Sequence, residues 1–441
     1  MAWRVTHFGA LRHPEEPRIL FLRSDRVWGL PRVVLREGWI ANAKAIVPAF
    51  ERRLGTRPWL LRQLQLREDE EARRAEAVLE LELQDTRWHP PRHGRWLGRD
   101  ELEGLRLRDE GHRELLDRYL EALERDEVPA GRTPWARPGW LNGVRAWLDE
   151  ESARLGHRIV AIEQVKQWGI SSVLRIVTGG PDLYFKVSLP LPLFVEEATV
   201  TARLAERFPA HVPAPLAIEP ERGWMLFDEF DLAGWDAPLE LRCEVFRRFA
   251  GLQLQTAGRT DELLADGCLD RRLDVLERQL EPLLEDGPGL HKLGDEEVRE
   301  LRQLTPKLKE LCRRLAGLGL PATLVHGDLH IGNVARRDGL LTFFDWTDAC
   351  VAHPFIDLHS LQWEPDESKR AALLDAYLEP WREAASEDVL REAVALAAAV
   401  TPLHHAVSYQ TIAAGLEPAS SPELDAAHTF LREALARARE L

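Results

Sequence analysis

The spacing of hydrophobic positions divides the chain into a part with short apolar runs and a part with helical periodicity. Roughly the first 125 residues alternate between the two patterns, which predicts a mixed α/β region. The stretches "RDELEGLRL" and "GHRELLDRYLEALE" within it have helical spacing. We predict strands at Arg18–Leu22, Arg26–Leu35 and Ala75–Asp85, and a helix over Ala41–Leu54 that Pro48 interrupts and Gly55 ends.

Proline and glycine mark the next boundary. The segment Val128–Pro138 holds three prolines and a glycine, which is typical of a linker. A helix is predicted over Trp140–Leu155, where Trp140 and Trp147 are seven residues apart and share one face. We therefore expect an N-terminal domain at residues 1–127, followed by a linker with its helix at residues 128–155.

The pattern then changes to strands and finally to helices. The runs "HRIVAIEQVKQ", "VLRIVTG" and "DLYFKVS" predict three short strands, of which the last two are joined by the turn "GGPD". From Leu239 onward almost the whole chain has helical spacing, except for a loop and hairpin at Val325–Asp345. We expect an α+β fold, with a β-rich lobe at residues 156–232 and a helical lobe at residues 233–441.

Composition narrows the class of protein. A chain of 441 residues, 45% hydrophobic and 30% charged, is typical of a folded protein with several domains. Its net charge of −15 argues against nucleic acid as a partner. Because the N terminus lacks a signal-peptide pattern and no apolar stretch of about 18 residues occurs, we expect a cytoplasmic protein without a membrane partner. The four scattered cysteines predict neither a zinc site nor a disulfide framework.

Candidate chemistry is concentrated in the segment "HGDLHIGNVARRDGLLTFFD", His326–Asp345. Asp328 and Asn333 are five residues apart, the spacing at which kinase catalytic loops carry a base and a Mg²⁺ ligand. Asp345 ends an apolar run just past a hairpin, where its carboxylate can reach the same metal. Since Mg²⁺ prefers such oxygen ligands, the pattern predicts phosphoryl transfer with ATP and Mg²⁺.

The same segment resembles a known family. "LVHGDLHIGNV" and "LLTFFDWTDACVAHPFIDL" are similar to the signature of the aminoglycoside phosphotransferase/choline kinase-like family, which has a bilobal protein-kinase-like fold. The resemblance extends over residues 156–441. The roles that it implies are catalytic base for Asp328, Mg²⁺ ligand for Asn333 and Asp345, a brace of the catalytic loop for His326, and a structural role for Asp357.

The fold implied by this resemblance also needs a lysine and a glutamate upstream. Lys186 ends the third short strand, where a kinase fold places the lysine that contacts the α- and β-phosphates of ATP. Glu196 and Glu197 compete as its partner on the next helix. Glu197 lies three and seven residues before Val200 and Leu204, on the apolar stripe, and we therefore choose Glu197.

The predicted loop over the phosphates departs from the kinase pattern. It has no GxGxxG motif, and its backbone N–H groups and serine hydroxyls are the predicted phosphate contacts. The stretch "WMLFDEF" resembles the hinge strand that binds adenine through its backbone. The candidate ATP-binding residues of the loop and hinge are Gly169, Ser171, Ser172, Asp228, Glu229 and Phe230.

The acceptor is expected to bind in the helical lobe after Leu239. Acidic clusters at Asp261-Glu262 and Glu364–Glu367 suit a cationic acceptor, although such clusters are more often solvated helix ends. Aromatic side chains can stack on a sugar or surround an ammonium group, and the same side chains are as commonly core residues. The candidates are Trp346, Trp363 and Tyr409, together with His404 and His405 on the helix of Tyr409.

The N-terminal domain resembles a Nudix domain that has lost its chemistry. "WGLP" and the later "RWL..DEL" stand at the expected places. The run that would bind Mg²⁺ is Pro48–Gly55, in which Arg52 and Arg53 replace the metal-binding glutamates. Arginine cannot ligate Mg²⁺, so we expect no pyrophosphohydrolase activity from this domain.

Several functions remain open from the sequence. The leading one is transfer of the ATP γ-phosphoryl group to a hydroxyl of an aminoglycoside-, amino alcohol- or sugar-like molecule. The alternatives are a non-catalytic nucleotide-binding or interaction protein, and a kinase for a protein or a nucleotide-like acceptor. A homo-oligomer is compatible with every one of them.

Overall fold

The computed structural model describes residues 3–36, 42–337, 339–417 and 422–440. Two compact units divide the chain. Unit 1 comprises Met1–Val187 together with Leu416–Pro422, and unit 2 comprises Ser188–Gly415 together with Glu423–Leu441. The predicted domain boundaries at residues 127, 155 and 232 describe sequence domains rather than compact units, and they stay predictions.

Unit 1 contains most of the β-structure. Its helices are α1 (Ala43–Leu54), α2 (Arg99–Leu102), α3 (Arg113–Glu124) and α4 (Trp140–Arg154). Its strands are β1 (Arg4–Arg12), β2 (Ile19–Ser24), β3 (Val27–Gly29), β4 (Arg32–Arg36), β5 (Pro58–Asp69), β6 (Arg74–Leu83), β7 (Gly94–Leu97), β8 (Ile159–Gln167), β9 (Ser171–Thr178) and β10 (Leu183–Ser188).

The first seven strands form one sheet. Strands β3, β2, β1, β6 and β5 follow in that order, while β4 pairs with β1 and β7 pairs with β2. β1 runs parallel to β6, and β1 with β4 and β5 with β6 are antiparallel pairs. One face of the sheet packs against α1 through Phe50, and the other packs against α3 through Leu120. Helices on both faces explain why these strands are apolar on both sides.

Several N-terminal predictions need correction. The hydrophobic pattern missed β1 and β5, the two long strands that pair with β6. The single strand predicted over Arg26–Leu35 is two strands, β3 and β4. Pro48 does not interrupt α1, because the helix continues through it and buries Phe50 on its apolar face. Gly55 ends the helix at a φ of 73°, as predicted. The predicted helix start at Ala41 lies outside the described residues.

The strands β8 to β10 belong to the same compact unit as the first sheet. The side-chain amide of Gln164 on β8 exchanges two hydrogen bonds of 2.8 Å with the backbone of Leu60 on β5. Gln167 Nε2 donates to the carbonyl oxygens of Leu61 and Trp135. Trp135, in the predicted linker, is fully buried. A linker segment that is packed in this way is part of the core of unit 1.

A late segment of the chain returns to unit 1. The carboxylate of Glu417 accepts hydrogen bonds from the guanidinium groups of Arg62 and Arg132. Its backbone N–H donates to the carbonyl oxygen of Gly131. Arg62 in turn pairs with the buried Glu80. Residues more than 280 positions apart in the sequence thus share one ion-pair network.

Unit 2 is mainly helical, as the periodicity after Leu239 predicted. Its helices are α5 (Glu197–Arg207), α6 (Leu239–Thr256), α7 (Thr260–Ala265), α8 (Leu273–Asp286), α9 (Asp295–Gly317), α10 (Glu367–Leu378), α11 (Glu387–Gly415) and α12 (Ala427–Glu440). Its strands are β11 (Ala217–Glu219), β12 (Trp224–Asp228), β13 (Asp231–Leu232), β14 (Leu269–Asp270), β15 (Thr323–Val325), β16 (Val334–Arg337), β17 (Leu340–Phe343) and β18 (Cys350–Ala352).

Two small sheets position the candidate site within unit 2. One has the order β13-β16-β17, and the other has the order β14-β18-β15. The large apolar core of unit 2 includes Phe249 of α6 and Leu403 of α11, and it packs against the residues that follow β15 and β17. In the described part of the chain, no helix is both long enough and apolar enough to cross a membrane.

Candidate active site

A buried carboxylate holds the loop that follows β15. The backbone N–H groups of His326 and Gly327 donate to the two oxygens of Asp357, at 3.0 and 2.9 Å. Gln253 Nε2 donates to the same carboxylate at 3.0 Å. Burial raises the pKa of Asp357 to about 7, although these three donors oppose the effect. The structural role implied for Asp357 by the resemblance is thus supported by its contacts.

His326 connects this loop to the residue that follows β17. Its Nε2 lies 3.0 Å from the carbonyl oxygen of Phe344, and its Nδ1 accepts a longer bond of 3.4 Å from the backbone N–H of Asp328. The ring is fully buried, and burial lowers the pKa of His326 to about 4. A neutral imidazole that donates through Nε2 and accepts through Nδ1 satisfies both contacts. The geometry suits a brace of the loop.

Gly327 is required by both its conformation and its surroundings. Its φ is +82°, a value that residues with a Cβ rarely adopt. A Cβ at this position would lie 2.6 Å from Cβ of Asp348 and 2.8 Å from the carbonyl oxygen of Asp348. The chain can therefore turn from β15 into the loop only with glycine here.

The loop brings Asp328 and Asn333 together. Asn333 is buried, and its Nδ2 donates to the backbone oxygen of Asp328 at 2.9 Å and to the Asp328 carboxylate at 3.2 Å. Because the nitrogen of the amide is used in this way, the amide oxygen is the atom left to ligate a metal. His330 Nε2 lies 3.4 Å from the same carboxylate oxygen, Asp328 Oδ2.

Asp345 stands at the open end of the hairpin formed by β16 and β17. Val334 pairs with Phe343, and the next N–H, of Phe344, donates to the carbonyl oxygen of Asn333 at 3.1 Å. Asp345 itself has a φ of 68°, in the left-handed region. Such a conformation stores about 1–3 kcal/mol of strain in a residue other than glycine, and it is characteristic of functional sites. Thr347 Oγ1 donates to its carboxylate.

The residues present fit a bound Mg²⁺. Asn333 offers an amide oxygen and Asp345 a carboxylate, and both are hard oxygen donors. Within the described ranges, no group of three or more His, Cys, Asp or Glu side chains forms a metal cluster. Mg²⁺ bound with nucleotide takes most of its ligands from phosphate and water, so two protein ligands suffice.

Asp348 is a candidate site residue that the sequence reasoning missed. It is half-buried beside Gly327. Burial, followed by the charge of the Asp328 carboxylate, raises the pKa of Asp348 to about 8. The signal in the sequence was an acidic residue three positions after Asp345, in "DWTD". Its proximity to Asp328 became visible only in the structure.

Helix α5 distinguishes the two glutamates that competed in the sequence. Glu196 is exposed and caps the helix, because its carboxylate accepts from the backbone N–H groups of Ala198 and Thr199. Glu197 is only 4% exposed, and Ser188 Oγ donates to its carboxylate. Lys186 is half-buried on β10 of unit 1. The pairing of Lys186 with Glu197 stays a prediction.

The predicted phosphate loop lies between β8 and β9. Gly169 is in the turn, which Trp168 closes by donating its backbone N–H to the carbonyl oxygen of Ser171. Ser171 and Ser172 are both buried, and Ser172 Oγ donates to Gln167 Oε1 at 2.7 Å. Since this hydroxyl already has a partner, backbone N–H groups are the better candidates for phosphate contacts.

The predicted hinge follows β12. Asp228 ends the strand, and its carboxylate pairs with Arg337 at 3.2 Å. The ring of Phe230 contacts the ring of Phe344 at a centroid distance of 5.4 Å. Glu229 lies between Asp228 and Phe230 in the chain. Phe344 precedes Asp345, so this contact connects the hinge residues to the candidate metal site within unit 2.

The aromatic candidates for the acceptor have different surroundings. Trp346 is fully buried against His326 and Phe249, which agrees with the alternative that it is a core residue. Trp363 is half exposed, and its ring contacts His330. The sequence reasoning assigned no role to His330, although it lies within the motif "HGDLHIGN". It also missed Trp235, which stacks on His330 and has no motif or periodic signal.

The aromatic residues of α11 lie deeper in unit 2. His404 and His405 are buried, and the ring of His405 contacts His359 at 4.5 Å and Phe430 at 5.2 Å. Tyr409 is half-buried and contacts Phe430 at 4.9 Å. A role for these side chains in acceptor binding stays a prediction.

The two acidic clusters already have partners. Glu262 pairs with Arg207 and Arg259. Glu364 pairs with Arg242, and Asp366 caps α10 through the backbone N–H groups of the next turn. These contacts agree with the alternative that the clusters are solvated helix ends rather than a site for a cationic acceptor.

The predicted Nudix-like motif lies at the end of α1. Arg52 and Arg53 are exposed in its last turn, and Glu51 is 3.5 Å from Arg57. The resemblance of this region to a Nudix domain stays a prediction.

Comparison with known proteins identifies relatives of most of the chain. Residues 163–392, slightly more than half of the chain, match the profile of the family described as "Phosphotransferase enzyme family". A search of curated proteins found no match. The family match covers the catalytic loop, the hairpin and Lys186.

Similar solved structures include three small-molecule phosphotransferases. Aminoglycoside 2'-phosphotransferase-IIIa, in a GDP complex, has a TM-score of 0.50 at 13% identity, with 67% of this chain and 98% of that chain covered. Choline kinase LicA from Streptococcus pneumoniae has a TM-score of 0.48 at 13% identity, with 68% and 100% covered. Macrolide 2'-phosphotransferase MphH from Brachybacterium faecium has a TM-score of 0.44 at 18% identity, with 65% and 97% covered. The first similarity confirms the predicted α+β, protein-kinase-like fold.

Proposed function

Since the chain belongs to the phosphotransferase enzyme family, we propose that it transfers the γ-phosphoryl group of ATP to a hydroxyl group of a small molecule, with Mg²⁺ as the cofactor and Asp328 as the catalytic base. The observation that carries this proposal is the contact of Asn333 Nδ2 with the Asp328 carboxylate at 3.2 Å. It joins the candidate base and a candidate metal ligand in one loop.

The reaction needs one proton acceptor and an in-line approach. The acceptor's hydroxyl oxygen forms a bond to the γ-phosphorus, while the bond from that phosphorus to the β–γ bridging oxygen breaks and its electron pair leaves with ADP. Asp328 takes the hydroxyl proton as the new bond forms. The carboxylate is about half exposed, so a hydroxyl can reach it.

Asn333 and Asp345 would hold Mg²⁺ through oxygen atoms. When bound, the metal offsets the negative charge on the phosphate oxygens. The backbone contact between Phe344 and Asn333 keeps the two ligands on one hairpin end. His326 and Asp357 hold the loop itself in place through backbone groups.

The remaining ATP contacts are proposed from the family's pattern. Lys186 would bind the α- and β-phosphates, and Glu197 would orient it. The backbone of the turn at Gly169–Ser172 would contact phosphate, and the backbone at Asp228–Phe230 would bind the base. The half-buried position of Lys186 and the burial of Glu197 are compatible with these roles.

Asp328→Asn tests the proposal, because it removes the proton acceptor but retains the shape of the side chain. We expect a fall in kcat of about 10³-fold, typical of the loss of a general base. Release of ADP would be measured with ATP as the donor, and with aminoglycosides, amino alcohols, sugars and nucleosides as acceptors. Calorimetric titration with Mg·ATP serves as the control and should give similar affinities for the two proteins. Equal ADP release by both proteins with every acceptor would contradict the proposal.

A further inference from the structure

A cavity of about 200 Å³ lies beside the catalytic loop in unit 2. It is lined by the start of α6, by His330 and Ile331 of the loop, and by the end of the 3-10 segment Pro354–Trp363. Pockets for drug-sized ligands are larger, at about 300–1,000 Å³. The cavity therefore has room for about one ring of a ligand rather than for a large multi-ring molecule.

Two exposed tryptophans and a histidine form one wall of this cavity, which we name the tryptophan wall (Trp235, His330 and Trp363). Trp235 stacks on His330 at a centroid distance of 4.9 Å with 30° between the planes. Trp363 contacts His330 at 5.5 Å and Trp235 at 6.4 Å. The two indoles are 66% and 52% exposed. A contiguous exposed aromatic surface of this kind marks a binding site for a ligand with an apolar face.

The wall adjoins the proposed base and offers hydrogen bonds. His330 Nε2 is 3.4 Å from Asp328 Oδ2, so a molecule against the wall is next to that carboxylate. His330 Nδ1 and Ser360 Oγ are buried and have no hydrogen-bond partner among the described residues, and both residues line the cavity. Buried polar atoms normally have partners. A ligand with hydroxyl groups would supply them after the two side chains turn toward the cavity, because neither atom is exposed in the structure itself.

The charges around the cavity cancel. Glu364 is the one carboxylate among its lining residues, and Arg242, which also lines it, pairs with Glu364. The Glu364 carboxylate also accepts the backbone N–H of Asp366. A cationic acceptor would find no unpaired carboxylate among these lining residues. An uncharged molecule avoids the cost of leaving a charge desolvated.

We propose that the acceptor is an uncharged, hydroxyl-bearing ring of the sugar or glycoside class, held with its apolar face on the tryptophan wall. This proposal rests on the proposed function, because it assigns the acceptor of that reaction. The C–H face of a sugar ring packs on indole, while one of its hydroxyl groups meets the exposed carboxylate of Asp328. Other hydroxyl groups meet His330 Nδ1 and Ser360 Oγ once these side chains turn toward the ligand. The ion pair of Arg242 and Glu364 neutralises the one carboxylate among the lining residues, so this carboxylate does not attract a cation.

The first test measures binding separately from turnover. Phenyl β-D-glucopyranoside is the neutral probe and choline is the cationic one. Both are titrated calorimetrically, without nucleotide, into the full chain with Asp328 intact, either unaltered or carrying Trp235→Ala, Trp363→Ala or Trp363→Phe. We expect the glycoside to bind more tightly than choline, and each alanine variant to weaken it about tenfold, as is typical of lost stacking. Trp363→Phe should retain most of the affinity.

A matched control shows whether the effect depends on the position of the lost indole. Trp88 is half-buried in unit 1 and does not line the cavity, so Trp88→Ala should leave glycoside binding unchanged. With Asp328 intact, ADP release should show a raised KM for the glycoside in the wall variants, with kcat within about threefold and an unchanged KM for ATP. Circular dichroism confirms that each variant is folded.

The ion pair gives a second, independent test. Arg242→Gln leaves the Glu364 carboxylate without its cation, and choline should then bind several times more tightly than to the parent protein. An unchanged ratio of choline to glycoside affinity would contradict the role assigned to the pair.

The outcomes separate this inference from the proposed function. Glycoside binding that depends on the tryptophans, but without ADP release, supports the wall and contradicts the phosphotransfer proposal. Turnover of choline that is insensitive to both tryptophans supports the phosphotransfer and overturns the wall. Tighter binding of choline than of the glycoside, or glycoside binding unaffected by Trp235→Ala and Trp363→Ala, also overturns it.

Discussion

At the scale of single residues, Asp357 determines the shape of the catalytic loop without a proposed part in the chemistry. Its two oxygens accept three hydrogen bonds, two of them from consecutive backbone N–H groups. Gln253 connects it to Tyr377, whose hydroxyl donates to the Gln253 amide oxygen. Removal of one partner from such a buried network leaves several polar groups unsatisfied.

Asp357→Ala should therefore destabilise the protein and misplace Asp328. We expect a loss of about 3 kcal/mol in the free energy of unfolding, since two buried N–H groups lose their acceptor and the Gln253 amide loses one of its two. Urea unfolding followed by circular dichroism measures it, and kcat should fall in the same variant.

The control for this prediction is Tyr377→Phe, at the far end of the same network. It removes one hydroxyl and should cost about 1 kcal/mol, with little effect on kcat. If Asp357→Ala were no more destabilising than Tyr377→Phe, the role assigned to Asp357 would be wrong.

At the scale of an element, α5 places two adjacent glutamates in different environments. The N-cap position directs Glu196 along the helix axis toward free backbone N–H groups. The next position starts the helical turn and directs Glu197 into the interior, toward Ser188. One residue of displacement therefore separates a stabilising role from the proposed role in ATP binding.

Glu196→Ala should change mainly the stability of the protein, and Glu197→Ala mainly its activity. The first removes a cap and should lower stability by about 1 kcal/mol without changing kcat. The second should raise KM for ATP and lower kcat about tenfold or more, because a misoriented Lys186 stabilises the phosphates less well.

Thermal melting and ADP release on the two proteins decide between these roles. The same loss of activity in both variants would mean that α5 as a whole, rather than the Glu197 carboxylate, supports catalysis.

At the scale of the whole molecule, buried ionisable groups make stability depend on pH in two directions. Burial lowers the pKa of His326 to about 4 and that of His353 to about 3, and it also lowers the pKa of His404 and His405. The four groups therefore stabilise the folded protein fully above the unfolded-state pKa of about 6.5. This stability is lost as the pH falls below that value toward their folded-state pKa.

Two carboxyl groups act in the opposite sense. Burial raises the pKa of Asp357 to about 7 and that of Asp348 to about 8. Their contribution is present below the unfolded-state pKa of about 4 and is lost as the pH rises through 7 to 8. Between about pH 4.5 and 6.5 the effect of the four histidines outweighs that of the two carboxyl groups, so stability rises with pH. Above pH 6.5, of these six groups only the two carboxyl groups still change stability, and it falls as the pH rises.

We therefore expect the melting temperature of the full chain to be highest near about pH 6.5 and to fall on both sides. Each net proton taken up on unfolding changes stability by about 1.4 kcal/mol per pH unit. Calorimetry from pH 4.5 to 8 measures the profile.

His405→Phe offers a matched control, because it retains an aromatic ring beside His359 and Phe430 but removes one titrating group. The acid side of its profile should be shallower than that of the parent chain. A melting temperature that rises steadily from pH 6.5 to 8 would contradict the assignment of the two carboxyl groups.

Much of the fold could be predicted because local pattern and burial agree. The strands "HRIVAIEQVKQ", "VLRIVTG" and "DLYFKVS" and the helix from Trp140 were found, since each repeats its apolar positions at one period. Trp140 and Trp147 both pack on Phe185, as their seven-residue spacing implied. β1 and β5 were missed because helices cover both faces of their sheet and remove the alternation that identifies a strand.

The candidate site likewise has one part that the sequence predicts and another part that it does not. The sequence by itself determined the reaction class, because Asp328, Asn333 and Asp345 lie within one short segment with the spacing expected of a base and its metal ligands. Only the tertiary structure decided which groups surround them. Asp357, Asp348, Trp235 and Trp363 reach the loop from other elements, and their contacts depend on packing between residues far apart in the chain. Local periodicity carries no information about such neighbours, and for that reason the acceptor side of the site could be argued only from the folded protein.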